Sequence, residues 1–191
     1  ERRTVRIVKP DAVPPELIES VLEAACLAPS AHNRQPWRFV VLTSIESRSA
    51  LAGAMAADFR RDLIGDGLPD DAIEERVGRS ISRLLGAPVL VVACLTMEDL
   101  DVYGDDARRA AEHTLGVQSV AAAIQNLLLA AAAEGLGAAW MCAPIFCQQV
   151  VCRALDLPSE WEPEALITIG CPAESPAEPE RAPFSTRVVY R

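Results

Sequence analysis

The stretch Ala28-Pro29-Ser30-Ala31-His32-Asn33-Arg34-Gln35-Pro36-Trp37 crowds hydrogen-bonding side chains between two prolines. Pro29 has no amide hydrogen and disfavours helical geometry at Ala28, so the apolar-periodic segment before it ends there. Ser30, Asn33 and Gln35 each donate and accept, as the edge of a heterocycle with alternating carbonyl and imino groups requires. The N-terminus brings a different chemistry. Arg2, Arg3, Thr4 and Arg6 place three guanidinium groups and a hydroxyl within five residues, and Arg181 adds a guanidinium from the far end. The planar fork of arginine matches phosphate oxygens. These residue types suit a ligand with an anionic end and a planar polar ring.

The elements that must hold these groups follow from periodicity. Pro15 and Glu16 open a helix over about 15–28, carried by Leu17, Ile18, Val21, Leu22, Ala25 and Cys26. A strand follows over 38–43, and Ser44 caps a helix over about 46–57. Residues 58–70 are polar and glycine-containing, which predicts a mobile connection or lid. Asp70-Asp71 starts a helix to about 85, and the apolar run 88–95 is a central strand. The longest helix spans 105–134 and stops at Gly135, with Leu136 placed for the hydrophobic contact of such a stop. Apolar residues on several sides of that helix call for partners all round and point to a dimer built on it. Strands over 138–142 and 165–170, a helix over 144–155 between them, a proline-rich arm over 172–183 and a terminal strand over 187–191 complete the inventory.

The 191 residues suit one domain, 1–191, with an ordinary core. A formal charge of −9 argues against nucleic-acid partners and against an anionic membrane surface. The apolar run 119–133 is shorter than the ~20 residues that cross a bilayer. Six cysteines without a signal peptide read as reduced thiols of a cytoplasmic protein. Cys142, Cys147 and Cys152 fall about 140° apart on a helix, and His32 and His113 are the only histidines, so no metal site is expected. The sequence opens inside the arginine motif, which leaves room for residues or a fused domain upstream. It contains no GxSxG, P-loop or GxGxxG, so hydrolase, phosphotransferase and Rossmann readings lack an anchor.

Taken in order, Arg2-Arg3-Thr4-Val5-Arg6, the 28–37 loop, Gly135-Leu136-Gly137-Ala138-Ala139-Trp140-Met141 and Arg181-Ala182-Pro183 resemble the nitroreductase family of flavin enzymes. Leu157-Pro158-Ser159-Glu160-Trp161-Glu162-Pro163, followed by Ile167-Thr168-Ile169-Gly170, resembles the reductase domain fused to a deazaflavin-cofactor glutamyl ligase. The resemblance implies an α+β, three-layer α/β/α fold with a mixed or antiparallel sheet. It also implies a homodimer with an exchanged C-terminal strand and two FMN sites at the interface. Arg2 and Thr4, with Arg3 beside them, would hold the phosphate and nearby hydroxyls. Arg6 would approach the pyrimidine carbonyls, and Arg181 would close on the phosphate. Pro29, Ser30, Ala31 and Asn33 would reach the ring across the interface, with Gln35 bracing the loop, His32 nearby without a chemical role and Trp37 in the core.

No catalytic side chain is implied. The backbone of Trp140, Met141, Cys142 and Ala143 would lie by the ring and donate an amide to it, with Cys142 an inert small hydrophobe. NADH or NADPH would be the reductant, and an electron-poor small molecule the acceptor, in a ping-pong cycle. Two alternatives are a reductase of an unsaturated deazaflavin precursor and a flavin- or deazaflavin-binding module without turnover. Within 58–69, Arg60 and Arg61 are flanked by Asp58, Asp62 and Asp66. A net acidic lid would not recruit a phosphorylated deazaflavin, which favours the general reductase.

Overall fold

Val89–Leu95 (β2) is apolar at every position and buried throughout. Such a strand belongs at the centre of a sheet covered on both faces. The computed structural model, which describes residues 2–191, places it there. β1 (Trp37–Leu42), β2, β4 (Glu162–Gly170) and β3 (Gly137–Met141) form an antiparallel sheet in the order β1-β2-β4-β3. Alternate residues of β2 serve two cores. Val89, Val91, Ala93 and Leu95 share one with α1 (Pro15–Cys26) and α4 (Asp106–Ala133). Leu90, Val92 and Cys94 share the other with α2 (Ile45–Gly65) and α5 (Gln148–Ala154). α3 (Asp70–Leu85) packs on α2 through Ile73 and Val77. The α+β, three-layer expectation holds, with an antiparallel sheet.

Several boundaries differ from expectation, each for a local reason. Ser44 Oγ accepts the Ser47 N–H at 3.1 Å and starts α2 as foreseen. α2 does not stop near 57. It runs to Gly65 because Leu63 is buried beside Ile73 and Val77, and the chain turns only where Gly67 takes φ +74°. The segment expected to be a mobile lid is therefore mostly helix, and Asp58, Asp62 and Asp66 recur along it at four-residue spacing. The helix expected over 144–155 is interrupted at Cys147, between a 3₁₀ turn over Ala143–Phe146 and α5. Arg187–Arg191 form no strand within the chain, and Val189 and Tyr190 are exposed.

α4 is long and apolar enough to cross a membrane by length and composition alone. Its Val120, Ile124, Leu127, Leu128 and Ala131 are instead buried in the core, and Asn126 Nδ2 donates to Ala24 O of α1 at 3.2 Å. It ends where Gly135 takes φ +75°, with Leu136 N–H on Ala131 O at 2.8 Å and Gly135 N–H on Ala132 O at 3.3 Å. These are the paired bonds of a left-handed helix stop.

The N-terminal residues dock across the ends of β3 and β4. Val5 N–H donates to Ala138 O at 3.0 Å, Lys9 N–H to Cys171 O at 2.8 Å, and Ala173 N–H to Ile7 O at 3.1 Å. This docking requires two glycines. A Cβ on Gly137 would lie 2.7 Å from Val5 Cγ1, and one on Gly170 2.9 Å from Val8 Cβ. Gly137→Ala should cost about 1–3 kcal/mol through overpacking. Gly53→Ala, with nothing within 4 Å of the new methyl inside α2, should instead stabilise by up to ~1 kcal/mol. Denaturant unfolding of the two variants checks this, and a neutral Gly137→Ala would contradict the docking.

Candidate active site

Docking divides the N-terminal arginines. Thr4 and Arg6 line a cavity of about 440 Å³ together with Ser82, Arg83 and Glu174. Arg3 enters a separate hollow of about 480 Å³, where it donates to Pro176 O at 3.4 Å and pairs with Glu178 at 3.4 Å. Arg6 and Arg83 make no hydrogen bond or ion pair among the described residues, so two guanidinium groups beside a threonine hydroxyl are left for a ligand. Arg2 is half-buried near this segment. Arg181 lies exposed on the arm, lines neither hollow and makes no bond among the described residues.

β3 carries the chain from the Val5 contact to Trp140, Met141, Cys142 and Ala143. Trp140 is 36% exposed, Met141 half-buried, and Cys142 and Ala143 exposed, while Pro144 is buried and fixes the turn. The Cys142 N–H falls between strand and 3₁₀ turn and has no acceptor among the described residues. A fixed, unpartnered amide at a strand end is a ready donor to a ligand atom.

The Pro29–Gln35 loop is held by bonds that compensate an unfavourable backbone. His32, Asn33 and Gln35 take φ of 50°, 54° and 51°, at roughly 1–2 kcal/mol each for residues other than glycine. Ser30 Oγ accepts the Gln35 N–H at 3.0 Å, Asn33 N–H donates to Ser30 O at 3.0 Å, and Gln35 Nε2 donates to Asn33 O at 3.3 Å. Ala31 N–H donates to Ser119 Oγ of α4 at 3.3 Å, and Arg34 pairs with Asp101 at 2.9 Å. Gln35 thus braces the loop as expected, and Trp37 is buried core. Pro29, His32 and Asn33 face outward, and neither Ser30 nor Asn33 lines the Thr4–Arg6 cavity of its own chain.

A larger cavity, about 700 Å³, opens between α2, α3 and the turn after β3. Arg76, Arg79 and Arg83 line it from α3; Asp58 and Asp62 line it from α2 and Asp66 from the residue that ends that helix; Ala143, Phe146 and Cys147 close one end. Arg83 belongs to both this cavity and the Thr4–Arg6 cavity, so the two adjoin. Sequence reasoning passed over the α3 arginines. Their signal was legible in the spacing of three and four, which puts 76, 79 and 83 on one helix face. Ser119, buried in α4, carried no comparable signal.

Residues 1–171 match the nitroreductase family model. The chain belongs to the nitroreductase family. A 5,6-dimethylbenzimidazole synthase of Rhodospirillum rubrum is 35% identical over 182 residues, covering 94% of this chain and 82% of that protein. An NADH dehydrogenase of Thermus thermophilus is 30% identical, covering 100% of this chain and 93% of its own length. Among solved structures, an FMN complex of a nitroreductase-type protein from Desulfovibrio desulfuricans is 28% identical, with a TM-score of 0.74 over 100% of this chain and 92% of that one.

In a nitroreductase-family chain, a cysteine lining a cavity by the end of β3 invites a redox reading. Burial first, then the carboxylates of Asp58 and Asp62, push the Cys147 thiol up to about 11. The thiolate is the reactive form. Cys147 should therefore react with iodoacetamide at pH 8 on the order of 100 times more slowly than a thiol of ordinary pKa near 8.5, and speed up as pH rises toward 11. Mass spectrometry of the alkylated peptide over that pH range checks it; fast labelling at pH 8 would contradict the environment described.

Proposed function

We propose that this chain is an FMN-dependent NAD(P)H oxidoreductase that reduces electron-poor acceptors such as quinones, nitroaromatics or other conjugated rings. One observation carries the reading: Thr4, Arg6 and Arg83 leave a hydroxyl and two unpaired guanidinium groups in one cavity, at the segment docked against β3. That donor set fits a phosphate, so Arg6, expected at the pyrimidine carbonyls, is assigned instead to the phosphate end. The free Cys142 amide, next to the part-exposed Trp140 and Met141, fits the edge of a flavin ring. When bound, FMN supplies a two-electron relay between nicotinamide and acceptor. For a quinone the balance is NAD(P)H, a proton and quinone giving NAD(P)⁺ and hydroquinone. The residues of the chain bind and orient; no side chain is assigned a proton transfer.

Pro29 and Asn33 face outward beside the half-buried Ser30 and Ala31, which supports this loop's serving the site of a second copy in a homodimer, with the exposed Val189 and Tyr190 of the tail packed on that copy. Arg2 and Arg181 are assigned to the phosphate end, where a partner or ligand draws them in. Arg3, held by Pro176 and Glu178, fixes the arm over the docked segment.

The 35% identity to a 5,6-dimethylbenzimidazole synthase favours a second reading, formation of that benzimidazole. The deazaflavin-precursor reading rests on the 157–163 segment. Its Leu157 and Trp161 pack against the α2–α5 core, and Cys152 Sγ donates to Trp161 O at 3.4 Å, so that segment has a packing role in joining α5 to β4. A flavin-binding module without turnover is the remaining alternative.

The purified protein should be yellow or become so with FMN, lose its flavin absorbance on adding NADH or NADPH without oxygen, and regain it on adding a quinone. Arg6→Gln should weaken FMN by roughly 10- to 200-fold, the effect of losing a charged hydrogen bond, and riboflavin far less. A protein that takes up no FMN contradicts the reading. One that accumulates 5,6-dimethylbenzimidazole, identified by mass spectrometry, selects the second.

A further inference from the structure

The cavity between α2 and α3 has two charged walls that do not close on each other. Arg79 is engaged by Glu75 at 3.6 Å, and Asp58 by Arg61. The side chains of Arg76 and Arg83 on one wall, and of Asp62 and Asp66 on the other, make no ion pair or hydrogen bond among the described residues. The ion pair that joins the two helices, Arg60–Glu74 at 2.8 Å, uses residues that do not line the cavity. Apolar side chains line it between these walls: Met55 and Leu63 are buried there, and Phe59 and Phe146 present 37% and 83% of their surface. The unpaired Arg76 guanidinium, exposed aromatic faces and an opposing row of acceptors are complementary to one kind of ligand.

We propose that this cavity is the acceptor site and that it selects a planar conjugated ring carrying one anionic substituent. The anion, a carboxylate or an equivalent oxyanion, sits at Arg76, while Arg83 serves the adjoining Thr4–Arg6 cavity. The ring lies among Phe59, Phe146 and Met55, and N–H or O–H groups on its opposite edge donate to Asp62 and Asp66. This rests on the flavin reading above, because Arg83 lines both this cavity and the Thr4–Arg6 cavity, and Ala143 at its end directly follows Cys142. It also replaces the inference from a net acidic lid: the acidic residues are one wall, and α3 supplies the basic one.

The test is a matched pair of probes, 4-nitrobenzoate and neutral 4-nitrobenzamide, bound to the oxidised protein without reductant and read by titration calorimetry. The wild type should bind the carboxylate about 10-fold more tightly than the amide. Arg76→Gln should bring that ratio close to 1, and Arg76→Lys should restore part of it, with melting curves of both variants confirming the fold. A wild-type ratio near 1, or one that Arg76→Gln leaves intact, overturns the proposal. So does an Arg76→Gln variant whose KM rises for NADPH and not for 4-nitrobenzoate, because the anion held there would then be the reductant's phosphate. Calorimetry needs no turnover, so a protein without FMN would overturn the flavin reading while the probe ratio still decided this one.

Discussion

The close approach of Val5 and Val8 to the backbone of Gly137 and Gly170 sets the geometry of the candidate site. A methyl at either glycine would occupy space the valines need, and without that contact the N-terminal segment has three interstrand hydrogen bonds and little burial to hold it. Once docked, its alternation decides which way each side chain leaves. Val5 goes to the core, Arg3 to the arm, and Thr4 and Arg6 to the cavity shared with Arg83. The same strand that receives Val5 ends at the unpartnered Cys142 amide, so one packing contact fixes both ends of the assigned flavin site.

α4 supplies the second constraint. It supports α1 through Asn126 and the 29–35 loop through Ser119, whose hydroxyl receives the Ala31 N–H and donates to Leu115 O at 2.7 Å. Three departures into left-handed backbone, at His32, Asn33 and Gln35, persist because this anchor and the Ser30 hydroxyl over-determine the loop. The loop is therefore shaped before any ligand or partner arrives, which lowers the ordering cost of binding.

Much of this was legible because it is local. The Ser44 cap, the Gly135–Leu136 stop and the all-apolar β2 each follow from a few adjacent residues, and the family resemblance lies in motifs read directly. What the sequence concealed depends on distant contacts. Gly65, Asp66 and Gly67 look like a loop, yet α2 reaches Gly65 because Leu63 finds Ile73 and Val77 across α3. The acidic character assigned to a lid was half of a pair, and the other half, Arg76, Arg79 and Arg83, stood on a helix valued only for its caps. The splitting of Arg3 from Thr4 and Arg6 likewise needed the register against β3. The terminal residues 187–191 read as a strand by composition, and within this chain they pair with no edge of the sheet.

Hydrogen exchange at the Val5 and Lys9 amides, with and without FMN, tests the central claim most directly. These N–H groups bond to Ala138 O and Cys171 O and report the docking of the segment on which the flavin site is built. If the site is as described, saturating FMN should slow both amides at least 10-fold, about 1.4 kcal/mol of added protection. FMN that binds and protects other parts of the chain while leaving Val5 and Lys9 unchanged would contradict it.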